Sequence, residues 1–196
     1  MVADLPSTPA RVVLVRHAQS AVPIAGGPDD YQRPLVEEGL RQAELLVDVL
    51  SHPRPVAIVS SPYLRAIQTI QPLALAIDGP VHTKHDLREW DSGLAPTPHW
   101  ERHYARSWAD PACARDGGES LNALTTRATA AVSALARRYP TGTVVIASHG
   151  TFIACALIGF GVGGVDWQFS RAMPMPAVYR LEIHAGTLLR ARGPGL

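Results

Sequence analysis

The chain has 196 residues, of which 46% are hydrophobic and 18% are charged, and its formal net charge at pH 7 is +1. This length and composition are typical of a globular protein, so we expect one domain over residues 1–196. The near-zero net charge excludes the extended basic surface of most nucleic-acid-binding proteins. A charged partner must therefore be recognised at a local site, and composition predicts no oligomeric state.

The cysteines and the amino terminus indicate an intracellular protein. Cys113 and Cys155 are too few for a disulfide scaffold and lack the closely spaced pairs of a zinc site. Residues 1–10 lack the basic start and the apolar run of a signal peptide. The longest apolar stretch, residues 151–165, contains four glycines and is too short to cross a bilayer. We expect a cytoplasmic protein without a membrane partner.

Strand and helix patterns alternate in the first half of the chain. Residues 11–15 form a short run rich in β-branched side chains, and so do residues 56–60; both are predicted to be buried strands because neither shows a polar face. Between them, residues 37–50 repeat apolar side chains at helical spacing, which predicts an amphipathic helix.

The second half continues the alternation after an irregular segment. Residues 86–118 fit neither period and hold three of the four tryptophans, so we expect an excursion over one end of the sheet, on the side of the active site. Residues 120–139 then predict a helix, residues 143–148 a buried strand, and residues 151–165 a buried helix followed by a loop.

The chain ends in a predicted antiparallel hairpin. Residues 177–183 and 187–192 flank a turn that contains Gly186, which can adopt the positive φ of hairpin turns. The earlier alternation of strands and helices favours a largely parallel sheet, because parallel neighbours are joined by crossovers that are usually helical. The predicted fold class is therefore α/β: a three-layer α/β/α sandwich with a mostly parallel sheet and an antiparallel edge hairpin at the carboxyl terminus.

Side chains able to bind an anion follow three of the predicted strands. Arg16 and His17 come directly after the first strand, and His149 comes directly after the strand that precedes the buried helix. The serine of the pair at 61–62 can cap a helix and the proline suits its first position, which leaves Arg65 in the first turn. Ligands of open α/β sheets bind beyond the carboxyl ends of the strands, so we expect these groups to meet there.

The residue types favour a phosphoryl group as the ligand. Two arginines and two histidines in one small volume are unfavourable unless an anion lies among them. The planar guanidinium makes paired hydrogen bonds to phosphate oxygens and keeps its charge at any working pH. A neutral imidazole is a competent nucleophile near pH 7 and can form a phosphohistidine. A carboxylic acid must then protonate the leaving oxygen.

Several blocks of the sequence surround or follow these side chains: VLVRHAQS at 13–20, PLVEEG at 34–39 followed by Gln42 and Ala43, SSPYLRAIQT at 60–69, LRE at 87–89, GES at 118–120 and VIASHG at 145–150. These blocks resemble the histidine phosphatase superfamily, also called the phosphoglycerate mutase-like family, and in particular its phosphatase-type branch 1. They occur in the family's order across most of the chain.

The resemblance implies a role for each matching residue. His17 would be the residue that is phosphorylated, with Arg16, Arg65 and His149 holding the phosphoryl oxygens and Glu89 as the proton donor. No metal and no other cofactor are implied. The implied activity is that of a metal-independent phosphoric monoester hydrolase, acting on a small phosphorylated molecule or on a phosphorylated protein side chain.

Departures from the family pattern leave alternatives. Ala18 stands where the family usually has glycine, and alanine tolerates a positive φ poorly. Residues 21–27 lack the polar side chains of the family's mutases, which favours a phosphatase over a phosphoglycerate-type mutase. Asp86 and Asp91 compete with Glu89 as the acid. The unusual alanine and the irregular acid block also motivate a third alternative, a non-catalytic module that binds a phosphorylated ligand.

Three further features have two interpretations each. Ser20 can donate to phosphate or bond its own backbone. His99 and His103 stand four apart, a spacing that can place two imidazoles on one metal, but no third ligand is evident and a solvated helical face is favoured. Four aromatic residues can wall the substrate pocket or pin the irregular segment to the sheet: Trp90, Trp100, Tyr104 and Trp108.

Overall fold

Strands and helices alternate along most of the chain in a computed structural model that describes residues 8–24, 26–27 and 29–196. The strands are β1 (Ala10–Arg16), β2 (Ala57–Ser60), β3 (Val81–Thr83), β4 (Thr143–Ser148), β5 (Ala177–His184) and β6 (Thr187–Arg192). The α-helices are α1 (Glu37–Leu50), α2 (Leu64–Ala76), α3 (Trp100–Ala109), α4 (Leu121–Arg138), α5 (Gly150–Gly159) and α6 (Trp167–Ala172). Short 3-10 helices cover Asp30–Gln32 and His85–Leu87.

The strands form one sheet in the order β3-β2-β4-β1-β5-β6. The first four strands in this order, β3 to β1, run parallel to one another, whereas β5 is antiparallel to β1 and β6 is antiparallel to β5. The hairpin turn places Ala185 and Gly186 at φ values of 49° and 84°. The predicted α/β fold, with a mostly parallel sheet and an antiparallel hairpin at its edge, is confirmed.

Both faces of the sheet are covered by the apolar faces of helices. Alternate residues of β1 point to opposite sides: Val12 and Leu14 pack with α4 and α5, whereas Val13 and Val15 pack with α1 and α2. A strand buried on both faces cannot alternate apolar with polar residues. This explains the continuous apolar runs in the sequence. No helix in the described ranges is long and apolar enough to span a membrane.

The structure corrects the sequence prediction at one helix start and adds three elements. α2 begins at Leu64 after Tyr63, and no side chain caps it, so the prediction that Ser61 caps this helix was wrong. Arg65 nevertheless lies in the first turn, as predicted. The added elements are the short strand β3 and the helices α3 and α6, of which α3 lies within the segment that showed no period.

A close backbone approach joins α1 to the segment that follows β1. A Cβ atom on Gly39 would lie 2.0 Å from the carbonyl oxygen of Gln19. The same segment is tied to the helix by hydrogen bonds from Val36 N to Gln19 O (3.1 Å) and from Gln19 N to Gln42 Oε1 (3.0 Å). The glycine therefore lets the start of α1 fix the backbone two residues beyond His17.

We expect Gly39→Ala to destabilise the protein by about 1–3 kcal/mol, because the clash is with backbone rather than with a flexible side chain. Alanine gains about 1 kcal/mol of helix propensity over glycine, so a net loss isolates the clash. Urea unfolding measures the difference. Gly163→Ala is the control, since no atom lies within 4 Å of its added Cβ. Equal effects of the two substitutions would contradict the prediction.

Candidate active site

Three parallel strands end together at one edge of the sheet. β1 and β4 pair so that Arg16 lies opposite Ser148, and the backbone N–H of His17 donates to the Ser148 carbonyl at 3.0 Å. The N–H of Ser61, one residue after β2, donates to the carbonyl of Ala147 in β4 at 2.9 Å. The residues that follow these strands therefore meet in the crevice beyond their carboxyl ends.

The two predicted histidines face each other in this crevice. The ring centroids of His17 and His149 are 5.3 Å apart at an interplanar angle of 65°, and the residues are 6% and 0% exposed. His17 Nδ1 lies 2.8 Å from the carbonyl oxygen of Ala18. A carbonyl can only accept, so Nδ1 carries the proton of the neutral ring. The lone pair is thereby left on Nε2, the atom that would attack phosphorus.

Ser61, which the sequence predicted to cap a helix, sets the protonation of His149. Ser61 Oγ lies 2.7 Å from His149 Nε2 and accepts from the backbone N–H of Tyr63 at 3.3 Å. Within the described ranges, the only acceptor for the serine hydrogen is Nε2. Nε2 therefore accepts, and the neutral ring of His149 carries its proton on Nδ1.

The two arginines come from different elements, and each is near enough for its charge to lower the pKa of both histidines. Arg65 is 2% exposed, with its guanidinium carbon 4.5 Å from the ring centre of Tyr63. Arg16 donates through Nη1 to the carbonyl of Met173. A Cβ on Gly150 would lie 3.2 Å from both Nε and the guanidinium carbon of Arg16. The glycine after His149 thus leaves room for Arg16 beside the start of α5.

Unpaired donors are concentrated at this site. Five buried side-chain N or O atoms lack a hydrogen-bond partner in the described part of the chain, and three of them are Arg16 Nε, Arg65 Nε and His149 Nδ1. Leaving a buried donor unpaired costs about 1–3 kcal/mol, so such atoms are rare in folded proteins. Three N–H groups from three different elements, on residues that lie near the His17 ring, are suited to the oxygens of one tetrahedral anion.

Burial and neighbouring positive charge keep both imidazoles neutral. Burial, followed by the charge of Arg65, lowers the pKa of His17 to about 3, although the bond to the Ala18 carbonyl opposes this shift. Burial, and then Arg65, also place the pKa of His149 well below its ordinary value. The ring of His17 is therefore neutral at pH 7, with its Nε2 lone pair available for nucleophilic attack.

Glu89 lies at the amino terminus of α5, directly after His149. Its Oε1 accepts from the backbone N–H groups of Trp90 (2.9 Å) and Phe152 (3.1 Å). Its Oε2 accepts from Thr151 N at the longer distance of 3.4 Å. A helix amino terminus favours a carboxylate at this position. The acid predicted from the sequence is thus held beside the pocket by backbone donors.

The loop that carries Glu89 is fixed from two directions. Ser148 Oγ donates to the carbonyl of Leu87 at 2.8 Å. From α4, Arg127 donates to the carbonyl of Glu89 at 3.3 Å and pairs with Glu119 at 2.7 Å, where both side chains are largely buried. The block that contains Glu119 therefore serves to hold the acid-bearing loop.

The two competing carboxylates are placed differently. Asp86 and Asp91 are exposed, and Asp91 Oδ1 accepts from the N–H of Gly93 at 3.2 Å within its own loop. Neither carboxylate is hydrogen bonded to a residue of the pocket in the ranges described. The geometry favours Glu89 as the acid.

The alanine of the signature fits without strain. Ala18 is fully buried against Leu35 and Ala43, and its N–H donates to Thr69 Oγ1 at 2.9 Å. Its φ is not positive, so no glycine is required there. The nearby Ser20 Oγ accepts from a guanidinium nitrogen at 2.8 Å, and its role as a phosphate donor stays a prediction.

The aromatic residues divide between two places. Trp90 is buried, its Nε1 donates to the carbonyl of Glu119 at 2.7 Å, and Tyr104 packs edge-on against its ring at 4.9 Å. Trp100 packs against Tyr104 at 5.3 Å. Trp108 instead lines a separate cavity of about 490 Å³, which none of the predicted pocket residues borders. For Trp90 and Trp108, these contacts favour the interpretation that the side chains attach residues 86–118 to the rest of the fold. They do not favour the alternative that these side chains form a wall of the substrate pocket.

The histidine pair four residues apart lies on the surface side of α3. His99 is exposed and precedes the helix, and His103 is partly exposed within it. Over residues 8–24, 26–27 and 29–196, no group of three His, Cys, Asp or Glu side chains is close enough to hold a metal ion.

Sequence reasoning missed three polar contributors to the site. Ser61 had a usable signal, because it directly follows β2 at the same edge as His149. Asp30 and Arg33 had none, because they lie in an irregular loop far from any strand end. Asp30 nevertheless bonds the guanidinium of Arg65, and Arg33 is close enough to lower the pKa of both imidazoles.

Comparisons with known proteins agree with this fold. The family model of the histidine phosphatase superfamily (branch 1) matches residues 12–189. Phosphoserine phosphatase 1 of Hydrogenobacter thermophilus is 28% identical over 192 residues, which cover 92% of this chain and 90% of that protein.

Two further similarities differ in extent. The mycobacterial glucosyl-3-phosphoglycerate phosphatase in complex with VO3 is 25% identical with a TM-score of 0.75, and the match covers 95% of this chain and 98% of that one. The transcription factor tau 55 kDa subunit of Saccharomyces cerevisiae is 35% identical over 63 residues. That match covers 31% of this chain and 14% of the yeast protein.

We expect Ser61→Ala to weaken vanadate binding about three- to tenfold, the equivalent of one ordinary hydrogen bond, because His149 loses the partner that sets its tautomer. Isothermal titration gives the dissociation constant. Ser60→Ala is the matched control: this buried hydroxyl donates to the Ser61 carbonyl and does not contact His149. An unchanged constant for Ser61→Ala, or an equal loss in the control, would refute this role.

The lowered pKa of His17 predicts a pH-dependent stability. The unfolded ring titrates near 6.5 and the folded one near 3, so the folded state binds fewer protons between these values and loses stability as pH falls through this window. The loss amounts to about 1.4 kcal/mol per pH unit for each such group. Between pH 7 and pH 4, His17→Asn should therefore lose about 3 kcal/mol less than wild type.

Urea unfolding in phosphate-free buffer measures this difference, because a bound anion would restore the pKa of the imidazole. His82→Asn, which replaces an exposed histidine, should lose as much stability as wild type. Identical losses for wild type and His17→Asn would show that the ring is not held neutral by the fold.

Proposed function

Because this chain belongs to the histidine phosphatase superfamily (branch 1), we propose that it hydrolyses phosphomonoesters through a phosphohistidine intermediate on His17, without a metal ion. The observation that carries the proposal is the set of three unpaired, buried donors on Arg16, Arg65 and His149. They surround a histidine whose Nδ1–H is already bonded and whose Nε2 is free to attack.

In the first step, His17 Nε2 forms a bond to phosphorus while the bond from phosphorus to the ester oxygen breaks. The three donors stabilise the negative charge on the phosphoryl oxygens, and preorganised donors of this kind contribute much of the catalysis in phosphoryl transfer. The Nδ1 proton stays on the ring, and the Ala18 carbonyl keeps accepting a hydrogen bond from it. Glu89 gives its proton to the leaving oxygen, and the product is a neutral alcohol.

In the second step, water replaces the alcohol. Glu89, now a carboxylate, removes a proton from water as the water oxygen attacks phosphorus. The bond between phosphorus and Nε2 breaks, which regenerates the neutral ring of His17 and a protonated acid. Oε2 of Glu89 suits this proton transfer because its one bond, from Thr151 N, is long at 3.4 Å. The sum of the two steps is ester plus water to alcohol plus phosphate.

The relatives indicate where a search for the substrate should begin. Phosphoserine phosphatase 1 and the mycobacterial glucosyl-3-phosphoglycerate phosphatase are named for small phosphomonoesters. A small phosphorylated metabolite is therefore the first choice for this chain. A phosphorylated protein side chain is the second choice. A panel that contains both small phosphorylated metabolites and a short phosphopeptide separates these two substrate classes.

The non-catalytic alternative has lost the features that motivated it. Ala18 occupies its position without a positive φ, and a carboxylate lies beside the pocket despite the irregular acid block. For the mutase alternative, the discriminating measurement is whether phosphoglycerate is interconverted faster than phosphate is released.

We expect His17→Ala to abolish phosphate release while the protein stays folded, because this residue lies in the crevice and not in a helix-sheet interface. Release of phosphate from a metabolite panel is measured with EDTA and with vanadate. Activity should survive the chelator and be lost with vanadate. His82→Ala should keep wild-type rates, since this side chain is exposed. Residual turnover in His17→Ala would overturn the nucleophile assignment.

Glu89→Gln should lower kcat about 10²- to 10⁴-fold for alkyl phosphates, the range typical of a general acid, and far less for activated aryl phosphates that need no proton. Steady-state kinetics on both ester types gives the comparison. Asp91→Asn replaces the competing carboxylate and should leave both rates near wild type. Equal losses on the two ester types would assign Glu89 another role.

A further inference from the structure

One carboxylate outside the predicted pocket holds the buried arginine of that pocket. Arg65 donates from Nη1 to the backbone carbonyl of Asp30 at 2.8 Å and from Nη2 to Asp30 Oδ2 at 3.1 Å. The other oxygen, Oδ1, accepts from Arg33 Nε at 2.7 Å. Asp30 thus joins two guanidiniums, one of them almost completely buried.

The contact uses one end of the Arg65 guanidinium and leaves another edge free. A guanidinium has five N–H groups and two edges that can each bind an acceptor pair. One edge, the end, is formed by the two terminal nitrogens, and the other, the side, by Nε and one terminal nitrogen. Asp30 takes the end, which consists of the two terminal nitrogens, whereas Nε on the side is buried and unpaired. An anion at the side edge and Asp30 at the end can therefore bind at the same time.

Contacts other than the one to Arg65 place Asp30. It begins the short helix Asp30–Gln32, whose preceding residue Asp29 accepts from Tyr31 N at 3.0 Å. The Tyr31 ring stacks on Tyr63 with centroids 4.1 Å apart. The loop is therefore seated on the pocket by its own packing.

Arg33 supports the carboxylate from the outer side. Its Nη1 donates to Ser20 Oγ at 2.8 Å and to the carbonyl of Ala21 at 2.6 Å, which fixes its position at the rim. Burial acts to raise the pKa of Asp30, but Arg65 and Arg33 together outweigh it and lower that pKa. The carboxylate is accordingly ionised at neutral pH.

We propose that Asp30 is a positioning residue: by holding both terminal nitrogens of Arg65, it turns Nε toward the phosphoryl group bound at His17. This proposal rests on the proposed function, since it assigns a role within the same pocket. Without the carboxylate, the Arg65 side chain keeps its contact with Tyr63 and its bond to the Asp30 carbonyl but loses the ionic partner of its second terminal nitrogen, so the rotation of its fork is less firmly set. The transition state, which needs the most accurate placement of donors, is affected most.

A competing interpretation makes Asp30 an anion that occupies the place of phosphate and must leave. The two interpretations predict opposite changes. Removing a competing negative charge would tighten binding of inorganic phosphate, whereas removing a positioning contact weakens binding of vanadate and lowers kcat.

Asp30→Asn tests the proposal, because asparagine keeps the shape and the backbone contact but loses the charge. We expect kcat/KM to fall about 10- to 100-fold, mostly through kcat, and the inhibition constant of vanadate to rise by a similar factor. Asp29→Asn is the matched control from the same loop. Asparagine can still accept from Tyr31 N, so this variant should stay within about twofold of wild type.

A double-mutant cycle with Arg65→Lys separates positioning from a general effect on the loop. Lysine has no fork to orient, so Asp30→Asn should cost less than about twofold in that background. Full additivity of the two losses would overturn the proposal, because Asp30 would then act on something other than Arg65. Tighter phosphate binding with an unchanged kcat/KM in Asp30→Asn would overturn it in favour of a competing anion.

The same experiment distinguishes failure of this inference from failure of the function on which it rests. Wild-type protein that releases no phosphate from any ester and binds no vanadate would remove the phosphatase proposal, and the positioning role with it. An active wild type with an equally active Asp30→Asn variant would remove only the positioning role. Thermal unfolding of each variant checks that the loop change has not altered the fold.

Discussion

The site depends on holding two guanidiniums and two imidazoles together when no anion lies between them. Like charges this close would repel strongly, and the structure limits the repulsion by keeping both imidazoles neutral through burial. The hydrogen-bonding capacity of the site is not fully used, because Arg16, Arg65 and His149 each keep a buried donor without a partner among the described residues. In the proposed function, the oxygens of a phosphoryl group are the acceptors for these three donors.

Features of the scaffold next to the site hold this arrangement in place. The register of β1 with β4 sets Arg16 opposite Ser148, so that the two histidines leave the sheet side by side. Two glycines then permit close approach: Gly150 leaves room for Arg16, and Gly39 lets α1 hold the segment beyond His17. Donors that are fixed before the substrate arrives need not reorganise during the reaction.

The parts of the fold that could be predicted are those with a local pattern. β1 and β4 are continuous apolar runs because both of their faces are buried, whereas α4 repeats apolar side chains at helical spacing because one of its faces packs on the core. The residues that follow a strand are placed by the topology of the sheet. Short or weakly apolar elements such as β3 and α6 have too few residues to show a period. The contacts that complete the site join residues distant in sequence, 35 apart for Asp30 with Arg65 and 88 apart for Ser61 with His149. Ser61 was predicted to be a helix cap for the same reason, since its long-range partner is invisible locally.

The two carboxylates beside the pocket are suited to different tasks by their partners rather than by their residue type. Asp30 is bound by two guanidiniums, which favour its charged form and make it a poor proton donor. Glu89 forms no ion pair within the described residues, and its Oε2 accepts only the long bond from Thr151 N, which leaves lone pairs of this oxygen for a reacting group. The proposed division of work, anchoring by Asp30 and proton transfer by Glu89, follows the same rule as in other enzymes that use two carboxylates at one site: the surroundings of each acid, and not its residue type, set its task.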